Sequence, residues 1–223
     1  MSQQNNIAIV IPALNEEKRI AATIQSIRSG GDYFIIVVDD GSTDATAAAA
    51  RGADIVLRHK VNRGMGAALV TGTRYALDHG ASIIVHFDAD GQHAAGEISR
   101  VVAPLQRDDC DIVLGSRYLQ KNKLPFTKRY FIHAPALLLQ RLTTGLRLSD
   151  VHNGFRAMTR QAAQKIQITQ DRMAHASEII NEIARLQLRY QEVPITVTYH
   201  TYGQGFRGGV RIMYDLIIKR LSP

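Results

Sequence analysis

Apolar runs alternate with helix-like segments through the first half of this 223-residue chain. Residues 7–11 and 34–38 are continuous apolar runs with the length of buried strands, and shorter runs occur at 55–57, 82–87 and 112–114. The predicted helices lie between these runs, at residues 16–29, 45–51, 67–79 and about 97–106. Alternation of this kind indicates parallel strands joined by crossover helices. We therefore expect one α/β domain with a mostly parallel central sheet flanked by helices.

Composition narrows the class of protein. Hydrophobic residues make up 45% of the chain, which is enough to fill the core of a domain of this size. The single cysteine, Cys110, excludes an intramolecular disulfide framework and a cysteine-rich zinc site. The N-terminus lacks the basic start and apolar stretch of a signal peptide, and no segment reaches the ~20 apolar residues that span a bilayer. These features predict a cytoplasmic location, with peripheral contact at the cytoplasmic membrane face as a further expectation.

Two carboxylates follow the fourth apolar run, in the stretch Asp-Ala-Asp-Gly-Gln-His at residues 88–93. In extended backbone Asp88 and Asp90 point to the same side, and two like charges so close require a cation between them. Carboxylate and amide oxygens suit Mg²⁺ or Mn²⁺, so Asp88, Asp90 and Gln92 are candidate metal ligands. His93 is either a nitrogen ligand or a neighbour of the ligands. The alternative is a solvated turn, because Asp and Gly are ordinary turn residues.

Polar residues also follow the first and second predicted strands. Open α/β sheets bind ligands outside the carboxyl ends of their strands, so we expect these polar residues to share one rim with Asp88 and Asp90. No glycine precedes Gly30, which argues against a nicotinamide-binding Gly-x-Gly-x-x-Gly turn. Arg63 and the Gly-Met-Gly turn that follows it begin a predicted helix, where a guanidinium and backbone N–H groups are suited to a diphosphate. A plain loop-to-helix turn is the alternative.

The charges are divided unevenly between the two halves. Residues 1–116 carry ten basic and fourteen acidic side chains, a net charge of −4, whereas residues 117–223 carry seventeen and six, a net charge of +11. A positive half beside a metal and nucleotide site predicts an anionic second substrate, an anionic membrane surface, or both. Nucleic acid ranks last, because the chain has no nucleic-acid motif and no aromatic stacking platform.

Six short motifs follow one another in the order of a known family: Ile-Pro-Ala-Leu-Asn-Glu-Glu, Val-Val-Asp-Asp-Gly-Ser-Thr-Asp, Asn-Arg-Gly-Met-Gly-Ala-Ala-Leu, Asp-Ala-Asp-Gly-Gln-His, Gly-Ser-Arg and Asn-Gly-Phe-Arg. Together they resemble the family 2 inverting glycosyltransferases with the GT-A fold, in the branch of dolichol-phosphate mannosyltransferases and other polyprenyl-phosphate sugar transferases. The resemblance covers roughly residues 7–200. It implies one Rossmann-like GT-A domain over residues 1–223, with a nucleotide-sugar and metal half at 1–116 and a basic acceptor half at 117–223.

The resemblance also implies an activity. A hexose, mannose or glucose, would move from a GDP- or UDP-sugar to a polyprenyl phosphate with Mg²⁺ or Mn²⁺ as cofactor. A hydroxyl acceptor on a glycan or soluble molecule is the second hypothesis and needs a general base, whereas a lipid phosphate is already an anion, with a second pKa near ~6. A third hypothesis, a nucleotide-sugar-binding protein without catalysis, gains no support from the intact pair of aspartates.

Site residues follow from the resemblance by position. Those implied for the donor's base and ribose are Pro12, Asn15, Glu16, Asp39 and Asp40; Asp88 and Arg63 are added for its diphosphate. Those implied for the acceptor phosphate are Arg117, Lys128, Arg129 and Arg156. The catalytic set is Asp90, Asp150 and Arg117, with Asp150 as base or orienting group. For several of these a structural role is the alternative: the donor-side Asn and Asp residues as helix caps, Asp150 in a turn, and Lys128 and Arg129 facing water.

The end of the chain departs from the family. Relatives carry an arginine-rich turn after the last strand, whereas here a glycine-rich stretch offers only Arg207 as a replacement charge. This stretch is either a lid over donor and acceptor or a plain connector. Residues 210–221 form a predicted amphipathic helix, which would pack against the sheet or lie on an anionic membrane.

Overall fold

Seven strands form one sheet in a computed structural model of the chain, which describes residues 6–119, 140–141, 143–150, 153–172 and 174–198. The strands are β1 (Ile7–Ala13), β2 (Phe34–Asp39), β3 (Ile55–Arg58), β4 (Ile83–His86), β5 (Ile112–Ser116), β6 (Arg156–Thr159) and β7 (Tyr190–Pro194). Their order across the sheet is β3-β2-β1-β4-β6-β5-β7. The five strands expected from apolar runs are all present, with ends that differ by one or two residues.

The apolar pattern did not reveal two strands, β6 and β7, and β6 is the one that lies inside the sheet. It runs antiparallel to both of its neighbours, β4 and β5, whereas the other strand pairs are parallel. Only Ala157 and Met158 are apolar in its four residues, and the strand begins at the charged Arg156. Because β6 runs the other way, its N-terminal end lies at the rim where β4 and β5 end.

Helices cover both faces of the sheet. They are α1 (Ile20–Gly30), α2 (Thr46–Ala49) with a 3-10 turn at Ala50–Gly52, α3 (Met65–Asp78), a 3-10 turn at Ala95–Glu97 leading into α4 (Ile98–Gln106), α5 (Arg160–Lys165) and α6 (His175–Arg185). Helices α1 and α4 pack on one face, while α3, α5 and α6 pack on the other. The result is the α/β architecture predicted from the sequence.

Alternating residues of the central strands supply the two cores. In β1, Ile9 and Ile11 face α1 and α4, whereas Ala8 and Val10 face α3. Helix α3 approaches β1 closely because Gly72 has no side chain; a Cβ there would overlap Val10. This close packing fixes the position of α3, whose N-terminus lies at the rim.

Several expectations lie outside the described residues: Lys128, Arg129, Arg207, the glycine-rich stretch and the helix at 210–221. The division into a donor half and an acceptor half stays a prediction. Within the described ranges, no helix has the length and apolar character needed to cross a bilayer.

Candidate active site

Asp88 lies directly after β4 and faces the turn that precedes β6. A Cβ built on Gly154 would lie 2.5 Å from Asp88 Oδ2 and 2.6 Å from its Oδ1. The Asp88 carboxylate therefore occupies the space that any other residue at position 154 would fill. This contact explains the glycine of the Asn-Gly-Phe-Arg motif, a role that the motif alone did not reveal.

The loop between the two aspartates is held from several sides. Asp90 Oδ1 accepts a hydrogen bond from the backbone N–H of Gln92 at 2.9 Å, and Gly91 adopts a φ of 71° to make this turn. The Thr23 hydroxyl of α1 donates to the carbonyl of Ala89 at 3.1 Å. These bonds fix the backbone on both sides of Ala89 and therefore the positions from which the Asp88 and Asp90 side chains extend.

The two carboxylates have opposite pKa shifts. Burial and the charge of Asp88 raise the pKa of Asp90. Burial also acts to raise the pKa of Asp88, but the hydrogen bond from His93 and the nearby charge of Arg156 outweigh it, so that this pKa lies below its ordinary value. A divalent cation would relieve the repulsion between the two groups, so the pair fits Mg²⁺ or Mn²⁺.

No cluster of three or more His, Cys, Asp or Glu side chains is arranged to hold a metal ion among the residues that the structure describes. Mg²⁺ is usually bound by one or two carboxylates together with waters and substrate phosphates. The side chain of Gln92 is half-buried beside the pair and remains the candidate for the amide ligand.

The polar residues after β1 and β2 bind one another. The backbone N–H of Asn15 donates to Ser42 Oγ at 2.9 Å, and Asn15 Oδ1 accepts from the Thr43 N–H at 3.0 Å. Glu16 is tied in the same way, since its N–H donates to Thr46 Oγ1 at 2.7 Å. Asn15 therefore joins the two loops and does not cap α1. These residues share one rim with Pro12, which is buried in β1 opposite Val38.

Asp39 and Asp40 are buried at the end of β2. Asp39 Oδ1 accepts from the Ser42 N–H at 2.9 Å, and Arg58 Nε lies 3.1 Å from Asp39 Oδ2. Asp40 accepts from the N–H groups of Arg63 at 3.0 Å and Gly64 at 2.6 Å, and its Oδ1 lies 2.7 Å from His59 Nδ1. Asp40 thus anchors the start of α3, not α2. The direct role of both aspartates in donor binding stays a prediction.

The prediction that backbone N–H groups of the Gly-Met-Gly turn bind a diphosphate is wrong for Gly64 and Gly66, whose N–H groups are hydrogen-bonded within the protein. The N–H groups of Gly66 and Ala67 donate to the carbonyl of Asp171 at 2.8 and 3.4 Å, and Asp40 takes those of Arg63 and Gly64. Protein groups therefore occupy four backbone donors at the start of α3, those of Arg63, Gly64, Gly66 and Ala67. The side chain of Arg63 is exposed and remains a candidate for the donor phosphates.

Gly66→Ala is expected to destabilise the protein. Its Cβ would overlap the backbone carbonyl of Gln170, which cannot move without shifting the segment before α6. We expect a loss of ~1–3 kcal/mol in the free energy of unfolding, measured by urea denaturation. Gly96→Ala is the matched control, because a Cβ at that position meets no atom within 4 Å. Equal stability of the two variants would contradict the described packing.

Arg117 and Asp150 form one bidentate ion pair beyond β5. Arg117 Nε lies 2.7 Å from Asp150 Oδ2 and Arg117 Nη2 lies 2.8 Å from Oδ1, while the Arg117 N–H adds a bond of 3.2 Å. The Asp150 side chain is fully buried and that of Arg117 is 23% exposed. Asp150 is therefore not a solvated turn residue, and both of its carboxylate oxygens are engaged.

Glu192 of β7 holds the loop that carries Asp150. Its carboxylate accepts from the N–H and hydroxyl groups of Ser149, both at 2.9 Å, and from the Asp150 N–H at 3.2 Å. Burial, together with the charge of Asp150, keeps the pKa of Glu192 above its ordinary value. The sequence did not identify Glu192 as a site residue, because nothing local in the strand links it to a loop about forty residues earlier.

Arg156 lies deeper than expected for a residue that binds an acceptor phosphate. It is 2% exposed and donates to the carbonyl groups of Asn153 at 2.9 Å and Gly154 at 3.3 Å. Burial lowers its pKa to about 10, against the opposing effect of the Asp88 and Asp150 charges, so the guanidinium stays cationic at neutral pH. The structure supports a role for Arg156 as a buried counter-charge for Asp88 and Asp150. It gives no support to a direct contact between Arg156 and the acceptor phosphate.

The chain is similar in sequence and in fold to several known proteins. The family model for glycosyl transferase family 2 matches residues 8–167. A UDP-N-acetylglucosamine–dolichyl-phosphate N-acetylglucosaminyltransferase of Methanococcus voltae is 30% identical over 97% of this chain and 96% of its own length. An undecaprenyl-phosphate mannosyltransferase of Micrococcus luteus is 28% identical over 91% of this chain and 88% of its own. Glucosyl-3-phosphoglycerate synthase from Mycobacterium tuberculosis, solved with Mg²⁺ and UDP, has the same fold, with a TM-score of 0.75 and 21% identity over 99% of this chain and 81% of that one.

Proposed function

Because this chain belongs to glycosyl transferase family 2, we propose that it is a metal-dependent, inverting glycosyltransferase that moves a sugar from a nucleotide sugar to a polyprenyl phosphate. The observation that carries the proposal is that Asp88 and Asp90 follow the C-terminal end of β4 and Arg117 follows that of β5, two strands that run in the same direction. Two relatives whose names specify a polyprenyl-phosphate acceptor align over nearly their whole length, which supports the same acceptor class here.

The donor side of the proposal rests on the two aspartates. Asp88, Asp90 and Gln92 would hold Mg²⁺ or Mn²⁺, which supplies positive charge to the departing nucleoside diphosphate. Thr23 and the Gln92 N–H fix the loop, while Gly154 makes room for the Asp88 carboxylate. These residues thus prepare a negatively charged concavity that is complete only with a cation.

The acceptor side favours a phosphate over a hydroxyl. A hydroxyl acceptor needs a free carboxylate as general base, but both oxygens of Asp150 are hydrogen-bonded to Arg117. A phosphate monoester needs no base and is instead held by guanidinium groups. Arg117 is anchored through Nε and Nη2 and keeps part of its surface exposed at the rim. We assign it to the acceptor phosphate, with Asp150 setting its orientation.

The relatives' names differ in the donor, N-acetylglucosamine in one and mannose in the other. We therefore propose a hexose or N-acetylhexosamine carried on UDP or GDP, which widens the mannose-or-glucose expectation from the sequence. Location at the cytoplasmic face of a membrane and peripheral contact with it follow from the proposed acceptor and belong to the same proposal.

The test compares acceptors that differ in one group. Purified full-length chain is incubated with Mn²⁺ and each of UDP-glucose, UDP-N-acetylglucosamine and GDP-mannose, together with a short polyprenyl phosphate or the matching polyprenol in detergent. We expect one donor to give a glycolipid from the phosphate, none from the polyprenol, and no product after EDTA treatment. Transfer to the polyprenol would favour the hydroxyl acceptor, and the absence of nucleotide release from every donor would favour a binding protein without catalysis.

A further inference from the structure

We propose that His93 is a positioning residue for the Asp88 carboxylate and that it sets the affinity of the site for its metal ion. The inference rests on the proposed function, because it requires that Asp88 bind a divalent cation. His93 itself would not touch the ion. It is one of the two groups between which the Asp88 carboxylate is held, and the other is the bare Cα of Gly154.

A hydrogen bond joins the His93 ring to the Asp88 carboxylate. His93 Nε2 lies 3.2 Å from Asp88 Oδ2. An ionised carboxylate only accepts, so Nε2 carries the proton and donates it. This bond holds Oδ2 and leaves Oδ1 as the free ligand atom. Ligating groups that are oriented in this way bind metals more tightly, because less freedom is lost on binding.

The imidazole ring of His93 is buried against two phenyl rings. Only 6% of the His93 side chain is exposed. The ring centroid lies 5.8 Å from that of Phe87 and 5.3 Å from that of Phe155, and the two phenyl rings are 5.1 Å apart in an edge-to-face arrangement. This aromatic cage fixes the plane of the imidazole and, with it, the direction of the Nε2–H bond.

Nδ1 of His93 is buried and has no hydrogen-bond partner in the part of the chain that the structure describes. Leaving a buried polar atom unsatisfied costs free energy. A phenylalanine would fill the same cage without that cost, so packing does not explain a histidine here. What the imidazole adds is the donor to Asp88.

The backbone of His93 is fixed as well. His93 pairs with Val197 in an isolated antiparallel bridge, and the Thr198 N–H donates to the carbonyl of Gln92 at 2.9 Å. The segment that follows β7 thus anchors the far end of the metal-binding loop. With its backbone and ring both held, His93 is suited to hold Asp88 in one orientation before the ion arrives.

Two substitutions separate the donor from the ring. His93→Phe keeps an aromatic ring between Phe87 and Phe155 but removes the N–H donor, whereas His93→Gln places an amide N–H near the position of Nε2. We expect His93→Phe to weaken Mn²⁺ binding ~10–100-fold, measured by electron paramagnetic resonance titration of full-length protein with saturating UDP. His93→Gln should restore most of the affinity. Melting temperatures of both variants report on folding independently.

The kinetic signature is equally specific. If His93 acts only through Asp88, His93→Phe raises the Mn²⁺ concentration for half-maximal transfer and leaves the rate at saturating Mn²⁺ close to wild type. Unchanged Mn²⁺ affinity in a folded His93→Phe variant would overturn the inference and leave the proposed function intact. If the wild-type chain itself binds no Mn²⁺ with UDP present, the metal site of the proposed function is wrong.

Discussion

Gly154→Ala is expected to abolish metal-dependent sugar transfer, with a fall in kcat/KM of at least ~100-fold, the scale of loss that a misplacement of about 1 Å produces at a catalytic site. The added Cβ would lie 2.5–2.9 Å from the three carboxylate atoms of Asp88. Contacts this short are repulsive, so the carboxylate must leave its position.

Protein groups restrict the carboxylate on the sides that face away from solvent. His93 lies on its other side at 3.2 Å, and the next residue, Phe155, is fully buried. The backbone of Gly154 is equally restrained, because Arg156 donates to its carbonyl at 3.3 Å. We expect the Asp88 carboxylate to shift while the surrounding fold stays in place. The substitution should therefore lower Mn²⁺ affinity and the transfer rate more than it lowers the stability of the protein.

Parallel measurements of Mn²⁺ affinity, transfer rate and melting temperature test this prediction. Gly96→Ala is the control, because its added methyl group meets no atom within 4 Å and the position lies outside the proposed site. Near-wild-type Mn²⁺ binding by Gly154→Ala would show that the ion does not depend on Asp88 in its present position.

The sequence predicted the elements that are encoded locally. The apolar run at 82–87 indicated a buried strand, which the structure contains as β4. The two aspartates after it lie at the end of this strand, and the metal site that they predict stays a prediction. Strand β6 was not predicted because it is short and has only two apolar residues, and it begins at Arg156, the last residue of a motif that the resemblance assigns to the site.

The sequence could not predict contacts between distant segments. The Gly-Met-Gly turn has the local features of an anion-binding helix start, but the carbonyl of Asp171, about a hundred residues later, accepts from the N–H groups of Gly66 and Ala67. The same holds for Gly154 against Asp88 and for Glu192 against Ser149. Local spacing identifies groups capable of binding a phosphate or an ion, and only the tertiary structure shows which of them the protein already uses.

Arg117→Ala and Asp150→Asn are each expected to reduce kcat/KM for polyprenyl phosphate by ~100–1,000-fold, and the double variant should be no worse than the more damaging single one. Each partner of a bidentate pair positions the other. Loss of Asp150 removes a bidentate anchor of the Arg117 guanidinium, and loss of Arg117 removes a bidentate cation from a buried carboxylate. Comparing the two single variants therefore cannot separate a base from a phosphate ligand, whereas the double-mutant cycle can.

The cycle gives different results for the two acceptor classes. If Asp150 were a general base that acts independently of Arg117, the effects would multiply and kcat would carry the loss in Asp150→Asn. If the pair binds an acceptor phosphate as a unit, the effects are non-additive and the KM for the acceptor rises in both single variants. Multiplicative losses in the cycle would favour a hydroxyl acceptor over a phosphate acceptor.

A stability control comes from a second bidentate pair with similar geometry. Arg185 Nε lies 2.6 Å from Glu182 Oε1 and Nη2 lies 2.8 Å from Oε2, but this arginine is 56% exposed on α6. Arg117→Ala, which breaks the ion pair with the buried Asp150, should cost ~3–5 kcal/mol of folding free energy, whereas Arg185→Ala should cost ~0–1 kcal/mol. Because this cost can lower activity through unfolding, the kinetic cycle is read at temperatures where all four proteins remain folded. Under that condition, non-additivity measures how Arg117 and Asp150 act together on the acceptor.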